Sequence, residues 1–454
     1  MTKPSIPKGT RDFSPVEMLR RNYIFDVIKK AFISYGFNQI ETPAMENLAT
    51  LTGKYGEEGD RLIFKILNRG DKFLNSFKSI DSNQATQGSM EHQLCAEGLR
   101  YDLTVPFARY VVQHQNEINF PFKRFQIQPV WRADRPQKGR YREFYQCDAD
   151  VIGSDSLTNE IDFIHLIDGV FAGLNIKGVK IKVNNRKILS GIAEVTGQAD
   201  KIIDITVAID KLDKIGVDKV IEELLNRGIT KKSISIIKPL LEIKGGYKLI
   251  VSSLKEMLSS SEVGLKGISE LEYVFNYFES YPLTFASIEL EMTLARGLNY
   301  YTGAIFEVVV DGAPVGSVSG GGRYDDLTGV FGLKDVSGIG ISFGADRIYD
   351  VMLDQGVFPD FSNVSTQLLL INNGENTNEL LRLSNDFRAK GIITELYPDN
   401  TKLKKQMKYA NGNNIPYVLF VSYENLSFAY ELKNMESGEQ FVLDFDSLIE
   451  KLNN

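Results

Sequence analysis

Hydrophobic and polar residues alternate with a period of two over 125–152, a pattern that predicts two strands joined by a ten-residue loop, 133–142. The loop carries four of the five arginines and lysines in this stretch. Side chains two residues apart in a strand share a face, so one face of the second strand presents Phe144, Gln146, Asp148, Asp150 and Ile152. An apolar ring, an amide and carboxylates beside a basic loop indicate a pocket for a phosphorylated aromatic ligand. The alternative is an ordinary hairpin with a solvated charged turn.

Helical spacing of apolar residues dominates the start of the chain. The pattern follows Ser14, which is expected to form a capping box with Glu17. Gly36 ends this helix, and a short strand, 37–40, leads to Pro43. Because proline lacks a backbone donor, Pro43 marks a sheet edge or an interface.

The polar stretch 75–91 predicts a surface loop, 99–105 predicts a strand, and 106–115 predicts a helix. Helix formers with lysine and glutamate faces then fill 187–284, whereas strand-like residues return near 287. The predicted organisation is a core in two parts, 1–186 and 285–356, around a helical insertion, 187–284, followed by a linker, 357–365, and a small α/β domain, 366–454.

Glycines and arginines recur together near the end of the core. Gly338 and Gly340 alternate with isoleucines, so one face of that strand is bare, and Arg347 follows in the first turn of a helix, where phosphate is favoured. Close packing with a surface arginine is the alternative. Arg296 and Arg323 stand beside other glycine turns, and arginines in such places usually serve anions. Only one of Tyr300 and Tyr301 could face the ligand if both lay on a strand.

Composition excludes several classes of protein. The net charge of −7 argues against a chain that coats nucleic acid nonspecifically. The two cysteines and three histidines have no short metal-ligand spacing, so neither zinc nor a disulfide framework is expected. No apolar run could span a membrane or serve as a secretory signal, which predicts a cytoplasmic location. There is also no Walker loop.

Ordered motifs resemble those of class II aminoacyl-tRNA synthetases. The helix from Ser14 with Pro43 resembles the first, dimer-forming motif of that class. PVWRADRPQKGRYREFYQ resembles the second motif, and GIGISFGADRI resembles the third. The two peptides peculiar to histidyl-tRNA synthetases closely resemble LARGLNYYTG and SGGGRYDDL, and PKGTRDFSP and LRYDLTVPFARY also look like that family. The likeness covers nearly the whole chain. It implies an α+β fold: a class II synthetase-like catalytic core, with an antiparallel sheet flanked by helices, a helical insertion and a C-terminal α/β anticodon-binding domain.

The resemblance also implies roles for individual residues. Arg132 and Arg296 would be catalytic, holding the α-phosphate. The residues implied for ATP are Arg132, Asp134, Arg140, Phe144 and Arg347. The residues implied for histidine are Asp102, Thr104, Gln146, Asp150, Arg296, Tyr300 and Tyr301. The family often has glutamate at positions 102, 134 and 150 and aspartate at 299, so the shorter carboxylates and Asn299 put the distances in this pocket in question.

The reaction implied by the resemblance is activation of L-histidine with ATP and Mg²⁺ to histidyl-adenylate, followed by transfer to the 3′ end of tRNA(His). A homodimer is implied, and tRNA would meet two basic groups of residues: Arg135, Lys138, Arg140 and Arg142 in the loop, and Lys402, Lys404, Lys405 and Lys408 near the C-terminus. The lysines could instead form a solvated face. The alternative function is a noncatalytic histidine-binding regulatory paralogue of an ATP phosphoribosyltransferase, a class that usually lacks the terminal tRNA domain.

Overall fold

A computed structural model of the chain describes residues 3–80, 86–243, 245–295, 300–361, 366–375, 377–424 and 427–453. The chain forms two compact units, Met1–Phe358 and Pro359–Asn454. The strands, numbered in chain order, are β1 (Asn38–Gln39), β2 (Met45–Asn47), β3 (Lys65–Leu67), β4 (Cys95–Leu99), β5 (Phe122–Trp131), β6 (Glu143–Ile152), β7 (Val179–Asn185), β8 (Ser287–Leu290), β9 (Ala304–Val310), β10 (Ser319–Tyr324), β11 (Gly338–Gly344), β12 (Leu368–Leu370), β13 (Thr394–Leu396), β14 (Tyr417–Glu424), β15 (Ser427–Asn434) and β16 (Gln440–Leu443).

The helices connect and cover these strands. They are α1 (Pro15–Ser34), α2 (Leu48–Leu51), α3 (Gly56–Arg61), α4 (Gly70–Lys78), α5 (Gln87–Leu94), α6 (Thr104–Gln113), α7 (Thr158–Gly173), α8 (Arg186–Val195), α9 (Ile202–Ile209), α10 (Leu212–Asn226), α11 (Lys231–Glu242), α12 (Tyr247–Met257), α13 (Glu262–Ser280), α14 (Ala345–Gln355), α15 (Thr377–Ala389), α16 (Leu403–Gly412) and α17 (Phe445–Asn453).

An eight-stranded sheet organises the first unit. Its order is β1-β5-β6-β11-β10-β9-β7-β8, and every pair from β5 to β7 is antiparallel. The edge strands β1 and β8 instead pair in parallel with β5 and β7. The predicted antiparallel sheet flanked by helices is therefore present, with a mixed character at its two edges.

Helix α1 shows how sequence and packing agree. The Ser14 hydroxyl accepts from the backbone of Glu17, whose carboxylate accepts from the Ser14 backbone, as the capping box requires. The helix buries Ile24, Ile28 and Phe32, one residue per turn, against the apolar face of the sheet. Burying such a side chain contributes about 1.5–3 kcal/mol, so packing rather than helix propensity holds α1 in place.

Two local predictions were wrong. The stretch 75–91, predicted as a loop, contains the end of α4 and most of α5, with 81–85 outside the described residues. Helix α4 has no buried residue, although its apolar residues Phe73, Leu74 and Phe77 recur at helical spacing. The predicted strand 99–105 is also replaced, because α6 begins at Thr104 and the carboxylate of Asp102 accepts the Val105 backbone N–H at 3.1 Å.

Helices α8 to α13 occupy nearly all of the predicted insertion, and their buried residues continue the core beneath the large sheet. In the second unit, the predicted alternation appears as β12, α15, β13, α16 and β14. Its sheet has the order β13-β12-β14-β15-β16 and includes a hairpin, β14–β15, that the sequence pattern did not indicate. The division of the first unit into core and insertion stays a prediction.

Candidate active site

A cavity of about 710 Å³ lies against strands β6, β9, β10 and β11. Arg296 and Asn299 lie outside the described residues, so nothing follows for them. All the other predicted site residues line the cavity: Asp102, Thr104, Arg132, Asp134, Arg140, Phe144, Gln146, Asp150, Tyr300, Tyr301 and Arg347. The fold therefore brings together residues from four separate stretches of sequence.

Strand β6 supplies one wall of the cavity, and its two faces divide as predicted. Phe144, Gln146, Asp148 and Asp150 line the cavity, whereas Cys147, Ala149 and Val151 belong to the buried core. Phe144 stands at the start of the strand and Asp150 near its end, about 20 Å apart at ~3.3 Å per residue. A ligand of two different parts could therefore lie along the strand.

The floor of the cavity includes backbone that carries no side chains. An added Cβ at Gly340 would lie 2.0 Å from Asp150 Oδ1, and one at Gly321 would lie 2.0 Å from the Gly340 carbonyl oxygen. Both distances are far below van der Waals contact. Gly321 faces the β11 backbone and Gly340 faces the Asp150 carboxylate, so close packing requires glycine at both positions, and both residues also line the cavity.

Arginines are grouped near the start of β6. Arg132 directly follows β5, and its Nε donates to the Tyr101 carbonyl at 3.1 Å. Its guanidinium carbon lies 4.3 Å from the ring centroid of Tyr101 and 5.1 Å from that of Phe144. These contacts fix the direction of a permanent positive charge beside an aromatic surface.

The basic loop is tied to the helix that follows the glycine strand. Arg347, in the first turn of α14 as predicted, donates from Nε to the Gly139 carbonyl at 2.8 Å and from Nη1 to the Ser317 carbonyl at 2.6 Å. Within the loop, Arg140 and Asp134 form an ion pair at 3.2 Å. This end of the cavity is thus rich in cationic groups that can bind phosphate oxygens.

Buried carboxylates characterise the other end. Asp150 pairs with Arg124 at 2.6 Å and accepts from the Tyr324 hydroxyl at 2.6 Å. Asp102 accepts from the Tyr55 hydroxyl at 2.9 Å. Burial raises the pKa of both aspartates, and these partners oppose the rise.

Asp148 was placed on this face by the period of two, but sequence reasoning gave it no role. It is 2% exposed, between Gln146 and Asp150 on the same face of β6. Burial raises the pKa of Asp148 to about 7; the charge of Asp150 adds to the rise and the charge of Arg124 opposes it. The period of two gives its face, but its raised pKa depends on burial, which the local sequence does not reveal.

Tyr300 and Tyr301 both line the cavity, and the expectation that only one could face the ligand does not apply because it assumed that both lie on a strand. They lie before β9, which begins at Ala304, and strand alternation therefore does not separate them. Their ring centroids are 4.8 Å apart, and Tyr300 also forms a hydrogen bond with Thr104. Burial raises the pKa of both phenols, so they stay protonated as donors at neutral pH.

Arg323 does not serve an external anion. Its Nε and Nη2 each donate to the Glu160 carboxylate at 2.6 Å, and both residues are buried. The guanidinium also donates to the Ser337 hydroxyl and to the carbonyls of Ser154 and Ser156. All of its donors are thus used within the fold, and the anion that it binds is Glu160.

The raised pKa of Asp148 predicts a pH dependence of stability. An unfolded aspartate has its ordinary pKa near 3.8, whereas the folded value is about 7. Between these values the folded state keeps a proton that the unfolded state loses, so the free energy of unfolding falls as pH rises from about 4 to about 7. Urea unfolding of the wild type and Asp148→Asn at several pH values should show that the variant gains stability relative to the wild type over this range. A constant difference between the two proteins would contradict the assignment.

No helix in the described part of the chain combines the length and the apolar character that a membrane span requires. The same residues contain no group of three or more His, Cys, Asp or Glu side chains placed to hold a metal ion.

Two family models match separate parts of the chain. The family model for histidyl-tRNA synthetase matches residues 77–348, and the model for an anticodon binding domain matches residues 367–454. A histidine–tRNA ligase of Porphyromonas gingivalis is 58% identical over 449 residues, which cover 98% of each chain.

Solved structures show the same likeness. The histidyl-tRNA synthetase of Nostoc sp. PCC 7120 superposes with a TM-score of 0.79 and 29% identity, covering 100% of this chain and 99% of that one. A Bacillus halodurans C protein described as an ATP phosphoribosyltransferase regulatory subunit/histidyl-tRNA synthetase has a TM-score of 0.71 at 20% identity over 92% of this chain and 99% of its own. At that identity, the second likeness concerns the fold alone.

Proposed function

Because the chain belongs to the histidyl-tRNA synthetase family, we propose that the cavity binds ATP and L-histidine side by side and joins them as histidyl-adenylate. The family inferred from the motifs is confirmed, together with its class II fold and its histidine–tRNA ligase activity. The proposal concerns which residues perform that activity. The observation that carries it is a single cavity lined both by Arg132 and Arg347 and by the buried carboxylates of Asp148 and Asp150 on β6.

The basic end of the cavity suits ATP. Phe144 would stack on adenine. Arg132 would hold the α-phosphate, together with Arg296, and Arg347 would hold the terminal phosphates. Asp134 and Arg140 would make further contacts from the loop, where their ion pair holds them in place.

The acidic end suits histidine. Asp102, Thr104 and Gln146 would receive its amino group, and Asp150 with Tyr301 would bind its imidazole. Tyr300 would support this arrangement through its hydrogen bond with Thr104. Selecting histidine requires hydrogen-bond partners for both ring nitrogens. A pocket with buried polar partners discriminates by a factor of about 10⁴ or more in kcat/KM against analogues that lack those nitrogens.

The chemistry requires charge and alignment more than a base. The carboxylate of free histidine is already ionised at neutral pH, so it can attack the α-phosphorus directly once the two are aligned. Pyrophosphate is the leaving group. ATP would enter as its Mg²⁺ complex, with the ion carried by phosphate oxygens, while Arg132 offsets the charge that develops at the α-phosphate.

Transfer to tRNA would use two surfaces. The loop residues Arg135, Lys138 and Arg142 would approach the acceptor end next to the cavity. In the second unit, whose sequence matches an anticodon binding domain, α16 and its N-terminal flank present four lysines that are exposed: Lys402, Lys404, Lys405 and Lys408. We infer that these lysines contact the anticodon arm of tRNA(His).

Assembly and location complete the proposal. We infer a homodimer formed through α1, β1 and the segment to Pro43, and a cytoplasmic location in keeping with a role in translation. The regulatory alternative is disfavoured because the chain carries a region matching an anticodon binding domain and aligns over 98% of its length with a histidine–tRNA ligase.

Histidine alone among the amino acids is expected to support exchange of pyrophosphate into ATP. The reason is that only its side chain offers two ring nitrogens to Asp150 and Tyr301. The measurement is the exchange rate with each of twenty amino acids in turn, without tRNA. A purified, folded protein that binds histidine but exchanges no pyrophosphate would favour the regulatory alternative.

A further inference from the structure

Four buried acceptor oxygens on the cavity wall have no hydrogen-bond partner among the described residues: Asp102 Oδ2, Gln146 Oε1, Asp148 Oδ1 and Asp150 Oδ2. Each belongs to a side chain that lines the cavity and is no more than 9% exposed. Leaving a buried polar atom without a partner costs about 1–3 kcal/mol, and more for a charged group. Such a cluster indicates a ligand that brings donors.

Asp150 Oδ2 lies 2.6 Å from the Arg124 guanidinium and is engaged by that charge, so three acceptors remain for a ligand. Their number and sign match one chemical group. A primary ammonium has three N–H donors, no acceptor and a positive charge. The two carboxylates and one amide oxygen could accept one hydrogen bond each. Asp150 differs from them because Arg124 and Tyr324 already engage its carboxylate.

Neighbouring hydrogen bonds hold these acceptors in position. The Gln146 side chain donates from Nε2 to the Ser342 hydroxyl at 2.8 Å, so its Oε1 is the atom left for a ligand. Ser342, opposite Asp148 in the β6–β11 register, in turn donates to the Asp148 carboxylate. The free oxygen of Asp148 therefore has a fixed direction.

We propose that Asp148 is a specificity-determining residue for the amino-acid substrate, accepting one N–H of its α-ammonium beside Asp102 and Gln146. This inference rests on the proposed function. The family resemblance implies Thr104 as the third partner of the ammonium, and in this inference Asp148 takes that place. Thr104 is left to hold Tyr300, with which it shares a hydrogen bond.

Binding would also move a proton. Six charged or titratable groups among the described residues interact with the charge of Asp148: Arg100, Asp102, Arg124, Cys147, Asp150 and Tyr301. Without ligand, burial raises the pKa of Asp148 to about 7, so near neutrality the carboxyl group holds a proton in part of the molecules. When the ammonium arrives, the carboxyl O–H bond breaks, the proton passes to solvent, and an N–H···O⁻ hydrogen bond forms.

The test is calorimetric binding of L-histidine to the full chain and to Asp148→Asn, in buffers of different ionisation heat. At about pH 8 the variant should bind histidine ~10-fold or more weakly, the order expected for losing a charged hydrogen bond. At about pH 5.5, where wild-type Asp148 is protonated, the ratio of the two dissociation constants should approach one. Because the ligand titrates alike with both proteins, this ratio isolates Asp148.

A des-amino analogue, imidazolepropionate, identifies the nitrogen involved. The analogue should bind more weakly than histidine, with the same dissociation constant for the wild type and for Asp148→Asn. Near pH 7, its binding to the wild type should release fewer protons than the binding of histidine does. Equal weakening of both ligands by the substitution would overturn the proposal, since Asp148 would then act only on the shape of the cavity.

Asp168→Asn is the matched control. Asp168 is equally a buried aspartate, but it lies outside the cavity lining and accepts from the backbone N–H groups of Thr284, Phe285 and Ala286. Its substitution should lower thermal stability and leave the histidine dissociation constant unchanged. A wild type without histidine-dependent pyrophosphate exchange would overturn the proposed function together with this inference. A wild type that exchanges, with Asp148→Asn unaltered in affinity and proton release, would overturn this inference alone.

Discussion

Replacing Arg132 with alanine is expected to slow adenylate formation by about 10²- to 10³-fold, the range observed when one preorganised charge contact is lost from a transition state. The reason is structural. The Tyr101 carbonyl and the rings of Tyr101 and Phe144 hold the guanidinium before any substrate arrives. The arginine therefore needs no reorganisation when charge develops at the α-phosphate.

The measurement is the maximal rate of histidine-dependent pyrophosphate exchange, with thermal unfolding recorded in parallel. Arg132 is only partly buried, so its loss should change the melting temperature little. Arg227→Ala is a suitable control, because Arg227 is ion-paired with Asp204 and Glu223 away from the cavity lining. Exchange as fast as in the wild type would remove Arg132 from its proposed role.

Replacing Arg323 with methionine is expected to cost about 3–5 kcal/mol of stability, because it leaves a buried carboxylate without its partner. Glu160 is fully buried, and burial already raises its pKa while Arg323 opposes that rise. Without the guanidinium, Glu160 must either take up a proton or remain charged in an apolar setting. The loss should therefore be larger at alkaline than at acidic pH.

A double variant separates this cause from simple disruption of packing. Arg323→Met combined with Glu160→Leu removes both charges and should recover part of the lost stability, as buried ion pairs replaced by apolar residues often do. Urea unfolding of the two single variants and the double variant gives the coupling energy. If the double variant were less stable than both single variants, the charge of Glu160 would not be the cause.

Short-range patterns predicted much of this molecule. The capping box of α1, the two faces of β6 and the helix that follows the glycine strand each depend on residues a few positions apart, so their signals are complete within the local sequence. The motifs then placed most of the cavity lining. They could do so because the motifs after Leu99 contribute to the lining, and the sheet order β6-β11-β10-β9 brings three of their strands together.

The remaining features depend on distant partners. Arg323 beside its glycines looks like an anion site, but whether its anion is a ligand or a side chain is decided by Glu160, which lies 163 positions earlier in the chain. Asp148 becomes unusual only through burial, which no local pattern reveals. The end of helix α4 was missed for a different reason: the polar residues of 75–91 were interpreted as a loop, although Phe73, Leu74 and Phe77 recur at helical spacing.

The bare floor of the cavity has a consequence for inhibitors and for resistance to them. A compound that rests on Gly321 and Gly340 touches main-chain atoms, and even an alanine at either position would bring a Cβ to within 2.0 Å of a neighbouring oxygen. Escape mutations at these two positions would damage the enzyme itself. Resistance would therefore have to arise at side chains around the rim, which makes the glycine floor the part of the pocket with the fewest routes of genetic escape.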